Sequence, residues 1–331
     1  MGAAILLALS FAIILAGALL FTNAIEWFGH RLGIGVGAVG SLLAAVGTAM
    51  PESIIPIVAI IRGGEGSDEV AIGAIVGAPF LLATIAMFLV GLFAILYVSR
   101  RAQGTQLTVH VPTLDRDLLF FLVFFAIALG LGLGVPDGVR YGAAVLFVLA
   151  YGVYVRRTLR GGGDVQAKHT LDPLIIDRTR REEEPKTQLI VLQLLIGLAA
   201  IIGGANLFVE ELISVAESVG VDVLVLSLIL APLATELPEK ANSFFWIREG
   251  KDTLALGNIT GAMVFQSTLP VAIGLAFTDW DLDGFALLSM ALALAGGIVA
   301  YWALRLRSRF TVPAIVAWAA LYIVFVVAVI V

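Results

Sequence analysis

The chain has 331 residues, 60% hydrophobic and 14% charged, with a mean hydropathy of +1.03 and a formal net charge of −5. A soluble chain of this length needs roughly a quarter of its residues charged, so a water-soluble globular protein is excluded and a lipid bilayer is the natural solvent. The lack of any cysteine excludes disulfides, thiolate nucleophiles and Cys-ligated metal clusters, and the sequence pI near 5.3 argues against a nucleic-acid partner.

A bilayer core of about 30 Å takes roughly 20 apolar residues per helix. Splitting the apolar runs at charge clusters predicts ten spans, at about 2–22, 34–61, 70–98, 118–134, 138–155, 188–209, 219–246, 253–277, 284–304 and 311–330. The first has no positive leader and no Ala-x-Ala-like cleavage site, so it reads as a retained helix. His30, His110 and His169 fall between spans, which argues against a histidine-based intramembrane site. With the N-terminus outside, the cytoplasmic loops collect Arg31, Arg100, Arg101, Arg116, Arg156, Arg157, Arg160, Lys168, Arg178, Arg180, Arg181, Lys186, Arg248, Lys251, Arg305, Arg307 and Arg309, while the outer side keeps Arg62 and Arg140. That asymmetry places both termini outside. The outer loops carry Glu210, Glu211, Glu217, Asp222, Asp279, Asp281 and Asp283, which read as a solvated face.

The hydrophilic stretch 157–187 holds Gly161-Gly162-Gly163, a basic run and Glu182-Glu183-Glu184-Pro185, the composition of a linker. It separates a first five-helix unit, 1–156, from a second, 188–331. An odd number of spans reverses direction, so similarity between the halves is an inverted repeat, the architecture of many secondary transporters.

Such similarity is present. Thr48-Ala49-Met50-Pro51-Glu52 aligns with Thr235-Glu236-Leu237-Pro238-Glu239 at an offset of 187, and Gly33-Ile34-Gly35-Val36 with Gly220-Val221-Asp222-Val223 at the same offset. Downstream, Ala71-Ile72-Gly73-Ala74-Ile75-Val76-Gly77-Ala78 aligns with Ala255-Leu256-Gly257-Asn258-Ile259-Thr260-Gly261-Ala262 at an offset of 184. Proline inside a helix removes a backbone donor and frees a carbonyl, and a carboxylate at mid-bilayer costs several kcal/mol. Both features occur together, twice. Thr48 with Glu52, and Thr235 with Glu239, are i,i+4 and share a helix face. Carboxylates, hydroxyls and freed carbonyls are the hard oxygen ligands that Na⁺ or Ca²⁺ takes in place of water. A packed proline kink with a protonated glutamate is the plainer alternative. The Gly73-x-x-x-Gly77 and Gly257-x-x-x-Gly261 ridges read first as packing surfaces.

At these residues the chain resembles the calcium/cation antiporter superfamily, which includes the sodium/calcium exchangers. Its two repeats each carry a Gly-Thr-Ser-x-Pro-Glu block and a Gly-Asn-x-x-Gly-Ser-Asn-x-x-Asn/Asp block. The resemblance implies an all-α membrane protein of ten transmembrane helices in two inverted five-helix repeats, with the second, third, seventh and eighth around the ion sites. It also implies that Glu52 and Glu239 are the paired cation-binding glutamates, with Thr48 and Thr235 beside them. The departures are specific: Ala49 and Glu236 replace the family serine, and Ala74, Ala78, Pro79 and Leu82 strip the third helix of polar ligands. Asn258 and Gln266 keep the eighth helix polar. Lys240, four residues after Glu236, is placed to neutralise it as an internal counter-charge; snorkelling to the interface is the alternative.

The function expected is sodium/calcium antiport by alternating access, with inorganic cations as cargo, no cofactor, and the membrane, as in a prokaryotic cell, as its location. The ion-binding set is Glu52, Glu239, Thr48, Thr235, Glu236, Gln266 and Asn258. Two alternatives stay open: proton-coupled exchange of calcium or another cation, through a buried glutamate, and a non-transporting sensor or scaffold with a degenerate site. An enzyme is not expected, because no HExxH motif, cysteine or buried histidine supports one. Nothing in the sequence sets the cation, stoichiometry, direction or oligomeric state.

Overall fold

In the computed structural model the described residues are 2–32, 50–101, 104, 106, 111–161, 171–177, 184–282, 284–306 and 310–330, without the side chains of 50, 159–161, 237–242, 245, 304 and 306. They form helices α1 (Gly2–Arg31), α2 (Met50–Arg62), α3 (Ser67–Leu96), α4 (Val111–Leu131), α5 (Asp137–Gly161) and α6 (Thr187–Val219). The chain continues through α7 (Val223–Arg248), α8 (Asp252–Gln266), α9 (Leu269–Phe277), α10 (Gly284–Tyr301) and α11 (Val312–Ile330). Seven segments are long and apolar enough to cross a membrane: α1, α3, residues Asp137–Thr158 of α5, α6, the α8–α9 run Asp252–Phe277, α10 and α11. The helices begin and end close to the sequence-derived spans. The largest extensions are in α6, which runs on from 209 to Val219, and in α1, which runs on to Arg31 because Asn23, Glu26 and Trp27 interrupt the apolar run without breaking the helix.

Two apolar clusters organise the bundle. The larger gathers residues of α3, α4, α5, α7, α8, α9, α10 and α11 around Phe80, Phe121, Phe125, Trp318 and Phe325. The smaller joins α1, α2, α6 and α7 with one end of α3 through Ile14, Phe21, Ile55, Ala74, Phe208 and Ala231. Leucines and valines elsewhere on α1, α5, α6 and α11 point outward, as lipid-facing residues do.

Glycines set two close helix seams. A Cβ on Gly17 of α1 would stand 2.9 Å from the Gly197 carbonyl of α6, and one on Gly197 would stand 2.7 Å from the Phe21 backbone nitrogen, so backbone meets backbone. At the second seam a Cβ on Gly73 would come 2.8 Å from the Leu224 carbonyl, and one on Gly77 would come 2.3 Å from that of Leu228. Pro232, four residues on from Leu228, cannot donate to that carbonyl. The glycine at 77 lets α3 close over the oxygen that the proline leaves without its helical donor. The packing expectation for the Gly73-x-x-x-Gly77 ridge therefore holds. No described atom lies within 4 Å of a Cβ on Gly257 or Gly261. Residues 37–41, which the repeat alignment pairs with Leu224–Leu228, fall outside the described residues.

The linker is partly folded onto the bundle. Residues 171–177 lie against α1 and α6: Asn23 Nδ2 donates to the Asp172 and Pro173 carbonyls (both 3.4 Å) and Trp27 Nε1 to Asp172 O (2.9 Å). In return the Ile175 amide donates to Asn23 Oδ1 (3.1 Å) and the Ile176 amide to Gln193 Oε1 (2.9 Å), while Gln193 Nε2 donates to Asn23 Oδ1 (2.8 Å). Composition does not report this docking, because the anchoring amides reside in helices distant in sequence.

Candidate functional site

The polar residues at the centre of the bundle come from α2, α7 and α8. Glu52 lies in the first turn of α2 and is 5% exposed. With Ile55, Ala74, Ala231, Pro232 and Thr235 it lines one narrow crevice between α2, α3 and α7. The Thr48-to-Glu52 pairing read from spacing cannot be followed, since Thr48 lies outside the described residues. What the fold does bring together is Glu52 of the first half with Thr235 of the second. Thr235 is buried, and its hydroxyl donates to its own helix, to Ala231 O at 3.2 Å and Pro232 O at 3.4 Å. In that orientation its oxygen lone pairs remain available on the crevice side.

α7 is helical through both Pro232 and Pro238, so these prolines leave an unbroken helix with missing donors. Four residues before each proline, Leu228 and Ala234 lose the N–H that a regular helix would supply to their carbonyls. The side chains of Glu239 and Lys240 lie outside the described residues, and with them the Glu236-to-Lys240 pairing.

Glu236 is fully buried, and Gln266 Nε2 donates to its Oε1 at 3.1 Å. Gln266 is 1% exposed and ends α8; its Oε1 has no hydrogen-bond donor among the described residues. There α8 stops, and Ser267 and Thr268 turn their hydroxyls onto the closing carbonyls of the helix, with Thr268 Oγ1 at 2.7 Å from Val264 O. Asn258, one turn into α8, donates from Nδ2 to Ser243 Oγ of α7 at 3.3 Å, and Ser243 donates to Ala255 O at 3.3 Å. The sequence reading had found Asn258 and Gln266 but not Ser243, which carries no repeat signature. The resulting set offers two carboxylates, hydroxyls, an amide oxygen and backbone carbonyls, all hard oxygen donors. Among the described residues no three His, Asp or Glu side chains gather into a resident metal site.

A buried ion pair lies at the start of α8. Arg101, beyond the end of α3, binds Asp252 through Nη1 at 2.7 Å and Nη2 at 2.9 Å, both side chains being fully buried, and Nη1 also donates to Ile247 O at 2.6 Å. The sequence reading placed Arg101 among loop charges, and its bidentate partner 151 residues away had no local signal.

Seven apolar helices among the described residues, enclosing buried polar side chains, define a polytopic integral membrane protein. The sodium/calcium exchanger protein family model matches residues 2–159 and 189–331, and the chain belongs to that family. It is 24% identical over 260 residues to the putative antiporter CaxA of Alkalimonas amylolytica, covering 78% of this chain and 75% of that protein. It is 25% identical over 255 residues to the inner membrane protein YrbG of Escherichia coli strain K12, covering 75% and 71%. Among solved structures, an H⁺/Ca²⁺ exchanger, CAX, superposes with a TM-score of 0.74 at 18% identity, covering 99% of this chain and 82% of that one. The sodium-calcium exchanger NCX_Mj superposes with a TM-score of 0.61 at 20% identity, covering 98% of both. At these identities the superpositions speak for the fold.

Proposed function

We propose that the protein is a secondary active antiporter that exchanges Ca²⁺ for Na⁺ by alternating access, built from two inverted five-helix repeats with both termini outside. Glu52 and Glu239 are its shared cation ligands, Thr48, Thr235, Asn258, Glu236 and Gln266 complete the polar surround, and Lys240 acts as an internal counter-charge. The observation that carries this reading is the crevice in which Glu52 of one half meets Thr235 of the other. Because both halves contribute to one site, a relative movement of the elements around it alters the ligand set, as alternating access requires. A carboxylate shared by two cargo cations makes their binding competitive and the exchange coupled. The family membership and the antiporter name of the Alkalimonas relative support the same reading.

A specific observation favours proton coupling as the second reading. Glu236 is a fully buried carboxyl that takes a hydrogen bond from the Gln266 amide, a group able to carry a proton as well as to bind a cation. The deciding experiment is Ca²⁺ uptake into proteoliposomes, driven in turn by an outward Na⁺ gradient and by a proton gradient. Uptake on Na⁺ alone that Glu52→Gln abolishes is the expected result. Uptake on protons alone would replace Na⁺ by H⁺ as the coupling ion. No uptake on either gradient, in protein shown to be folded, would overturn the antiport reading.

A further inference from the structure

A buried carboxylate outside the proposed site is hydrogen-bonded to α8, the helix that carries Asn258 and Gln266. Asp117 of α4 is 2% exposed, inside an apolar bundle where a carboxylate needs strong compensation. Its Oδ1 accepts from Arg116 Nε (3.1 Å) and Nη2 (2.9 Å) and from the Tyr154 hydroxyl of α5 (2.9 Å). The Arg116 guanidinium lies over the Tyr154 ring, 4.9 Å from its centroid. The remaining oxygen, Oδ2, accepts from Thr260 Oγ1 of α8 at 3.1 Å, and Thr260 is fully buried.

Thr260 behaves unlike the other threonines with recorded bonds in or beside helices. Thr84, Thr158, Thr235, Thr268 and Thr278 donate to carbonyls three or four residues back in their own chain, the usual outlet for a hydroxyl on a helix. Thr260 reaches across to another helix, to a charged acceptor.

The faces of α8 explain what that bond does. At about 100° per residue, Thr260 points roughly 160° away from Asn258 and roughly 120° away from Gln266, whereas Asn258 and Gln266 lie within about 80° of each other. Asn258 and Gln266 face α7, where they bind Ser243 and Glu236. Thr260 faces α4, and Tyr151 of α5 packs edge-on against Phe265 at 5.6 Å. We infer that Asp117 is a positioning residue of the cation site: through Thr260 it fixes the rotation of α8 from behind, and so determines whether Gln266 and Asn258 meet α7. This rests on the antiport reading. A rotation of about 20° moves a side-chain tip at a radius of about 5 Å by roughly 2 Å. The 3.1 Å bond between Gln266 and Glu236 does not survive such a shift.

The natural chain has no cysteine, so single reporters can be placed without removing any. Ala262 lies on α8 between Asn258 and Gln266 and is part-buried. The test combines the alkylation rate of Ala262→Cys with the half-saturating Ca²⁺ concentration for uptake, in three backgrounds: Thr260→Val, Asp117→Ala and Asp117→Asn. Thr260→Val preserves side-chain shape and guards against a variant that merely fails to fold. Thr260→Val and Asp117→Ala are expected to change the alkylation rate and raise the half-saturating concentration, each by about tenfold, the scale of a lost hydrogen bond to a charged acceptor. Maximal rate per folded molecule should stay within about twofold, and Asp117→Asn, which keeps an acceptor oxygen, should recover most of both effects. Unchanged half-saturation in folded Thr260→Val and Asp117→Ala proteins overturns the inference, whether or not alkylation changes. If the parent chain carries no Ca²⁺, the antiport reading fails, and unchanged alkylation then overturns the α8 positioning as well.

Discussion

α3 and α8 align residue for residue in sequence, yet one is an apolar wall and the other carries polar side chains that reach neighbouring helices. Every residue of α3 from Val70 to Leu81 is buried, and its seam with α7 is made by bare backbone at Gly73 and Gly77. On α8 the corresponding stretch carries Asn258, Thr260 and Gln266, each hydrogen-bonded to another helix. The backbones nevertheless depart from regular helix at equivalent positions. α3 passes into a π-helical turn over Leu82–Ala86, and α8 ends at Gln266, the residue aligned with Leu82. Both helices carry an irregular turn there, and the aligned residue at its start is Leu82 on α3 and Gln266 on α8. A site fed mainly from one side depends on the placement of α8 more than a symmetric one would.

The strongest way to break this comparison is to cut the ion pair that ties the end of α3 to the start of α8. Arg101→Ala leaves Asp252 buried without its bidentate partner, and a loss of about 3–5 kcal/mol is expected, read as a large fall in Tm in detergent. Wild-type Tm in that variant would show that α8 is held without it. Next in size, Glu52→Gln should lower Ca²⁺ uptake at least about a hundredfold at unchanged Tm, since a buried carboxylate ligand has no neutral substitute. Gly77→Ala tests the wall: its methyl meets the backbone at Leu228 rather than a movable side chain, so α3 and α7 must part, at a cost of about 1–3 kcal/mol. Gly142→Ala, whose Cβ meets no described atom within 4 Å, should leave Tm nearly unchanged. The smallest effect sharpens the comparison most. Gln266→Leu, which gives α8 the side chain of α3, should raise the half-saturating Ca²⁺ concentration about tenfold. An unchanged value would mean that the polarity of α8 is structural.

Much of this was legible in the sequence, because bilayer physics leaves few ways to write a span and makes buried charge conspicuous. Glu52, Glu236, Asn258 and Gln266 stood out as polar residues in apolar runs, and the structure finds all four on helices of the central bundle, Glu236 and Gln266 hydrogen-bonded to each other. Asp117 was not legible, because it sits just before the apolar run 118–134 and reads as an interfacial charge. Only the packing of α8 behind α4 shows that it is enclosed. Pro238 signalled a freed carbonyl or a packed kink, and the structure keeps α7 helical through it. The docked segment 171–177 had the composition of a tether; it is held by Asn23 and Gln193, two amides on helices distant from it in sequence.

The seam between α1 and α6 carries a mechanical consequence. At Gly17 and Gly197 no side chain separates the two backbones, and 171–177 laces the same pair together through Asn23 and Gln193. Two rods keyed in this manner cannot slip past each other lengthwise without forcing Phe21 and Ile201 through the glycine notches. The pair therefore behaves as a single beam, and any work done in displacing it is done at its outer boundaries, against lipid on one side and α2 and α7 on the other.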